Sequence, residues 1–218
     1  MVIIDFFKNF YTILFVWLSG FAAVYVFRRS LIFSYRGFAL LIIILSILET
    51  IGNYLAFNGI RNLFLFNIIY TIRSAVVPCY FVTWLQHPGI KRITRFYVFI
   101  FPLFVIVNTI WIQGFFTLQT YSFVLGGSFI LLLSLAYLWE LYTNEESQNI
   151  IRNPPFWFSL AYLFYFAVSV PYIGMFNYLW TNYPSFTTLY YKLIFDGTIC
   201  LYNILLTIGL LCMKPATK

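Results

Sequence analysis

The sequence predicts an all-α protein, a single bundle of seven transmembrane helices with its N-terminus outside the cytoplasm and its C-terminus inside. Three observations carry this reading. Of the 218 residues, 62% are hydrophobic and 9% charged, at a mean hydropathy of +0.89. Soluble domains carry about 25% charged residues, so this chain has too little polar surface to cover a water-facing globule. Second, seven continuous apolar runs are each close to the roughly 20 residues that cross the hydrocarbon core. Third, the basic residues gather beside alternate ends of those runs, as the positive-inside rule requires. Strands of a membrane barrel would alternate polar and apolar residues instead.

The first run, 9–27, is followed by Arg28, Arg29 and Arg36, whereas Lys8 in front of it is offset by Asp5. A secretory signal carries its positive charge before the apolar stretch. This run therefore reads as a retained helix whose C-terminal end is cytoplasmic. The second run, 37–55, returns outward and ends before the Asn58-Gly59 turn signal. The third, 63–85, leads into a basic connection with Lys91, Arg92 and Arg95, and the fourth is 96–113. The fifth run is 119–142. The connection 143–155 carries Arg152 and ends in Pro154-Pro155. The sixth run, 156–179, and the seventh, 187–212, complete the bundle, with Lys214 and Lys218 behind them. Only Lys8 and Arg61 fall on the opposite side.

Trp111, Trp180, Tyr183, Tyr190 and Tyr191 lie near the outer ends of runs, and Trp84, Tyr97, Trp139, Tyr142 and Trp157 near the inner ends. Apolar rings with polar tips are stable at headgroup depth, so these read as interface belts and not as an aromatic cage. Ser19/Ala23 and Ser122/Gly126 are small-xxx-small pairs that permit close helix approach. Pro78, Pro102 and Pro171 interrupt the third, fourth and sixth runs.

Much chemistry is excluded. His87 is the single histidine and lies in a basic connection; Cys79, Cys200 and Cys212 all sit in apolar runs without metal spacing. No GxSxG, HExxH or P-loop occurs. No catalytic residue, metal ligand or cofactor is expected, and nucleic acid is a poor partner for basic residues confined to membrane flanks. A retinal site on Lys192 fits poorly, because the acid that should precede it by four residues is Thr188. No connection is long enough to fold as a domain, so the expectation is one membrane domain over 1–218.

Ionisable residues at membrane depth need partners and mark candidate sites. Four occur: Glu49, Arg73, Lys192 and Asp196. Counted from the outer helix ends, Glu49 lies about 9 Å deep, Asp196 about 13 Å and Arg73 about 15 Å. Arg73 can therefore pair with Glu49, with Asp196, or with both. Asn53 shares a face with Glu49, Asn203 lies in the stripe of Lys192 and Asp196, and Asn67 lies on the run that holds Arg73. Glu49, Asn53, Asn67, Arg73, Lys192, Asp196 and Asn203 are the candidate ligand- or ion-binding residues. A structural ion-pair network is the competing reading.

The acid and asparagines around the second and third runs (Glu49, Asn62, Asn67, Tyr70), Pro155-Phe156-Trp157 and Tyr202-Asn203 give the chain a resemblance to small bacterial seven-helix integral membrane proteins. These in turn resemble the membrane input modules of sensor kinases. Arg73 stands where the resemblance leads one to expect an acid. The resemblance implies the architecture and supplies no activity. The expected role is a sensor- or receptor-like module in the cell (inner) membrane. It would touch the lipid bilayer and act through a separate membrane or cytoplasmic protein, with homo-oligomerisation left open. A small-molecule or proton-coupled transporter, or a structural accessory subunit of a membrane complex, are the alternatives.

Overall fold

The computed structural model describes residues 11–30, 32–143 and 149–213. Asp5, Lys8, Lys214 and Lys218 lie outside the described residues, as do the side chains of Asn177, Thr188, Tyr191 and Lys192. Helices α1 (Thr12–Arg29), α2 (Phe33–Phe57) and α3 (Leu63–Trp84) are followed by α4 (Pro88–Val107), which continues through a π turn, Asn108–Ile112. Then come α5 (Thr120–Thr143), α6 (Pro154–Gly174) and two short helices, α7 (Phe176–Asn182) and α8 (Pro184–Tyr190). A second π turn, Tyr191–Phe195, leads into α9 (Asp196–Leu211). Seven of the described segments are long and apolar enough to cross a membrane, the seventh being Leu193–Leu211.

Local chemistry sets the ends. Arg28 and Arg29 occupy the last turn of α1, where positive charge complements the helix dipole. At the end of α2, Gly59 takes φ +70°, Gly59 N–H donates to Ala56 O at 3.0 Å and Ile60 N–H to Leu55 O at 2.9 Å. These paired bonds form a Schellman stop, which needs a residue free to adopt the left-handed conformation. Pro88 and Pro154 stand at the first positions of α4 and α6, where a missing N–H costs nothing.

Several boundaries differ from those expected. The fourth helix begins at Pro88, not at 96, because Pro88 and the His87 side chain, which accepts from Ile90 N–H at 3.4 Å, together start it. Lys91, Arg92 and Arg95 therefore lie on α4 itself. The sixth helix stops at Gly174, three residues after Pro171, instead of running to 179. The segment up to Asp196 is broken into short and π-helical pieces.

Six long helices close a ring in the order α1, α2, α3, α5, α6, α9 and back to α1. Helix α4 packs chiefly on α3 from outside that ring, and its span is the least buried of the seven at 22%. Both small-residue pairs turn into the ring. Ser19 Oγ donates to Asn203 Oδ1 at 2.8 Å, Ala23 is fully buried, and Gly126 backs onto Ser74 of α3.

One end of the bundle is solid. Phe38 of α2 lies 4.4 Å from Phe158 of α6 between ring centres, Trp84 of α3 is 5.7 Å from Phe158, and Phe81 is 5.1 Å from Trp84. The Glu140 carboxylate on α5 accepts from Gln86 N–H at 2.7 Å and His87 N–H at 2.9 Å, tying α5 to the α3–α4 connection. Asn153 bonds Tyr137, and the Trp157 indole donates to Ile151 O. Arg28, Arg29, Arg36, Lys91, Arg92, Arg95 and Arg152 all belong to this end, and Arg61 to the other.

Candidate functional site

The half of the bundle away from the basic end holds a cavity of about 110 Å³. Five helices of the ring bring side chains to it. Asn53 and Glu49 come from α2, one helical turn apart; Phe66, Tyr70 and Arg73 from α3; Tyr165 from α6; and Asp196, Ile199, Tyr202 and Asn203 from α9. Thr12 and Val16 of α1 and Phe195 of the π turn complete the wall.

Arg73 anchors the arrangement. It is only 3% exposed, and its Nη2 donates to Glu49 Oε1. Its guanidinium carbon lies 5.2 Å from the ring centres of both Tyr165 and Tyr202. Those rings are themselves 5.0 Å apart, so the cation sits at the apex of a near-equilateral triangle with two aromatic faces. Burying a guanidinium is costly unless it is paired. Here a carboxylate supplies the opposite charge and two π faces supply further negative potential. The pairing uses only part of the fork: Nε–H makes no hydrogen bond with any described group. The buried hydroxyls of Tyr162 and Tyr202 also lack hydrogen-bond geometry to any described group.

Glu49 is 17% exposed, and that exposure faces the cavity. Its carboxylate accepts from Arg73 on Oε1 only, so Oε2 has no donor among the described residues. Asn53 donates its Nδ2 back to Glu49 O at 2.7 Å, and its Oδ1 has no donor among the described residues. Asn203 accepts from Ser19 and donates to Ile199 O at 2.9 Å, locking α9 against α1.

Of the residues singled out from the sequence, Glu49, Asn53, Arg73, Asp196 and Asn203 come together on this cavity. Asn67 does not. It is 4% exposed and holds the turn between α4 and α5, its Nδ2 donating to Phe115 O at 3.0 Å and Thr117 O at 2.7 Å while its Oδ1 accepts from Gln119 N–H at 3.2 Å. Asn108 belongs to that same turn, with its Nδ2 on Gln113 Oε1 and Ser122 Oγ. Lys192 lies in the π turn just before Asp196, with its side chain outside the described residues.

The aromatic wall is what sequence reasoning missed. The tyrosines and tryptophans read as belts, and no cage was expected, yet Phe66, Tyr70, Tyr165, Phe195 and Tyr202 line the cavity. Four of these carry a usable signal. Phe66 and Tyr70 share the arc of α3 that carries Arg73, while Phe195 and Tyr202 flank Asp196 and Asn203. Tyr165 has no such signal: the sixth run is apolar around its whole circumference, and only assembly of the ring distinguishes its inner face.

No protein-family model, curated protein or solved structure matches the chain.

Proposed function

We propose that this protein is a sensor- or receptor-like module of the cell membrane, with its N-terminus outside and its basic end in the cytoplasm. In this reading a small ligand or ion enters the cavity, and a separate membrane or cytoplasmic protein responds. One observation carries the reading: the buried Glu49–Arg73 pair forms a wall of a cavity at which α2, α3, α6 and α9 meet. An occupant that competes for Glu49 changes the contacts of α2 and α3 directly and those of α6 and α9 through Tyr165 and Tyr202. Ligands shift equilibria only through such differential contacts.

The other half of the bundle favours a receptor over a carrier. Phe38, Phe81 and Phe158 are each at most 1% exposed, so the cavity has a packed floor. The basic helix ends around that floor suit anionic lipid or an acidic partner surface.

The test is to extract the tagged protein from its native membrane in mild detergent and identify co-purifying proteins, lipids and small molecules by mass spectrometry. A stoichiometric signalling partner is the expected result. A bound metabolite without any protein partner, together with flux of that metabolite in reconstituted vesicles, overturns the receptor reading in favour of a transporter.

A further inference from the structure

Open donors and open acceptors share one wall of the cavity. Glu49 Oε2 and Asn53 Oδ1 are acceptors without a donor among the described residues. Arg73 spends only Nη2 on Glu49; its Nη1 and Nε make no hydrogen bond with a described group, and neither does the Tyr202 hydroxyl. Asp196, on the same wall, has partners of its own, the Tyr11 hydroxyl among them. The Asn53 and Asn203 amides donate to backbone carbonyls. Glu49 and Arg73 cancel each other's charge while each keeps hydrogen-bonding capacity to spare. An occupant that only accepts leaves Glu49 Oε2 unsatisfied, and one that only donates leaves the guanidinium unsatisfied. Both omissions are expensive for buried groups.

From this we infer that the cavity binds a small uncharged carboxamide, its oxygen accepting from Arg73 Nη1 and its N–H groups donating to Glu49 Oε2 and Asn53 Oδ1. A primary carboxamide carries two N–H donors and one carbonyl acceptor in a single plane. An anion would meet the Glu49 carboxylate and a cation the Arg73 guanidinium, each in a low-dielectric setting that magnifies the mismatch. A hydroxyl has one donor for two open acceptors. The carbonyl oxygen has a second lone pair, which suits the Tyr202 hydroxyl or Arg73 Nε. Both are fully buried, so reaching them requires a side-chain shift on binding. The space sets the size: 110 Å³ corresponds to roughly three to four waters of liquid, enough for a free amide of about four heavy atoms and too small for a peptide. The inference rests on the receptor reading, since it names the ligand of that cavity.

The full chain is placed in nanodiscs of phosphatidylcholine, and thermal unfolding is followed with acetamide, acetate, acetamidinium or acetone. These share one shape. Acetamide both donates and accepts, acetate and acetone only accept, and acetamidinium only donates. Acetamide raises the midpoint saturably, at a half-saturating concentration at least about 10-fold below that of each of the others, the scale of one hydrogen bond to a charged group. Glu49→Gln leaves Arg73 without its counter-charge, so the preference moves from acetamide to acetate. Asn53→Ala keeps the ion pair, weakens the acetamide effect by roughly 3-fold or more, and serves as the second variant should Glu49→Gln fail to fold. Equal or better stabilisation of the wild-type chain by acetate, acetamidinium or acetone, or no acetamide effect, overturns the inference. An acetamide effect of unchanged strength in Asn53→Ala does the same. A partner still recovered from native membranes in those cases leaves the receptor reading standing and removes only the ligand class.

Discussion

Arg73 of α3 donates to the Glu49 carboxylate of α2 inside the ring of helices, where the arginine is 3% and the glutamate 17% exposed. A pair in this setting behaves asymmetrically. Removing one partner strands the other as a buried uncompensated charge, at about 3–5 kcal/mol, whereas removing both charges together costs far less. Arg73→Gln should therefore be severely destabilising, and Arg73→Gln combined with Glu49→Gln should recover at least about 1 kcal/mol of the summed loss. Denaturant unfolding of the four proteins in detergent measures this coupling. Strict additivity would mean that the pair is not coupled in the folded protein.

How much of this was legible beforehand follows from what the sequence carries. The pairing was legible only as one of three options, Arg73 with Glu49, with Asp196 or with both, because charge at depth is rare and these residues lie at similar depths. The role of Asn67 was not, because a polar stripe defines a face but not its neighbour. At about 100° per residue, Phe66, Tyr70 and Arg73 fall within an arc of about 60° on α3, while Asn67 and Ser74 lie roughly 90° around the helix. The first arc meets the cavity; the second meets the α4–α5 turn and Gly126 of α5. Likewise, the start of α4 at Pro88 was hidden because Lys91, Arg92 and Arg95 break the apolar run without breaking the helix. The ring order, with α4 excluded, depends on packing between distant segments that no local pattern records.

Close packing leaves no room for a side chain at Gly209 or Gly126 and open space at Gly197. A Cβ at Gly209 of α9 would stand 2.5 Å from Phe158 Cε1, and one at Gly126 would stand 2.5 Å from Ser74 Oγ. Gly197, also on α9, would meet nothing within 4 Å. Gly209→Ala and Gly126→Ala should each destabilise by about 1–3 kcal/mol. Gly197→Ala should stabilise by roughly 0.5–1 kcal/mol through helix propensity. Thermal midpoints of the three variants check the contrast, and a reversed order would contradict the helix register of α9.

Glu140 is the clip at the basic end. Its carboxylate satisfies two backbone donors, Gln86 N–H and His87 N–H, where α3 has ended and α4 begins. Glu140→Ala should cost about 1–3 kcal/mol and speed hydrogen exchange at these two amides. Glu140→Gln, which keeps one acceptor oxygen, should have a smaller effect. Unchanged exchange at Gln86 and His87 in the alanine variant would remove the clip from the account.

Orientation can be read with single cysteines in a background whose native cysteines are replaced. Thr117 lies in the exposed turn between α4 and α5, and Arg92 lies exposed at the basic end. With the basic end in the cytoplasm, Thr117→Cys should react with a membrane-impermeant maleimide in whole cells, and Arg92→Cys only after permeabilisation. The opposite labelling pattern would invert the proposed topology.

The central claim is that the Glu49–Arg73 cavity is a ligand site and not only a packing feature. Its most direct test compares native-membrane preparations of the wild-type chain and a folded Glu49→Gln variant, scored for the small molecule or lipid each retains. The account predicts that the wild-type protein carries a small molecule or lipid which the variant has lost, while both keep the same protein partner. Identical bound species in the two preparations would contradict it and make the pair a structural bolt.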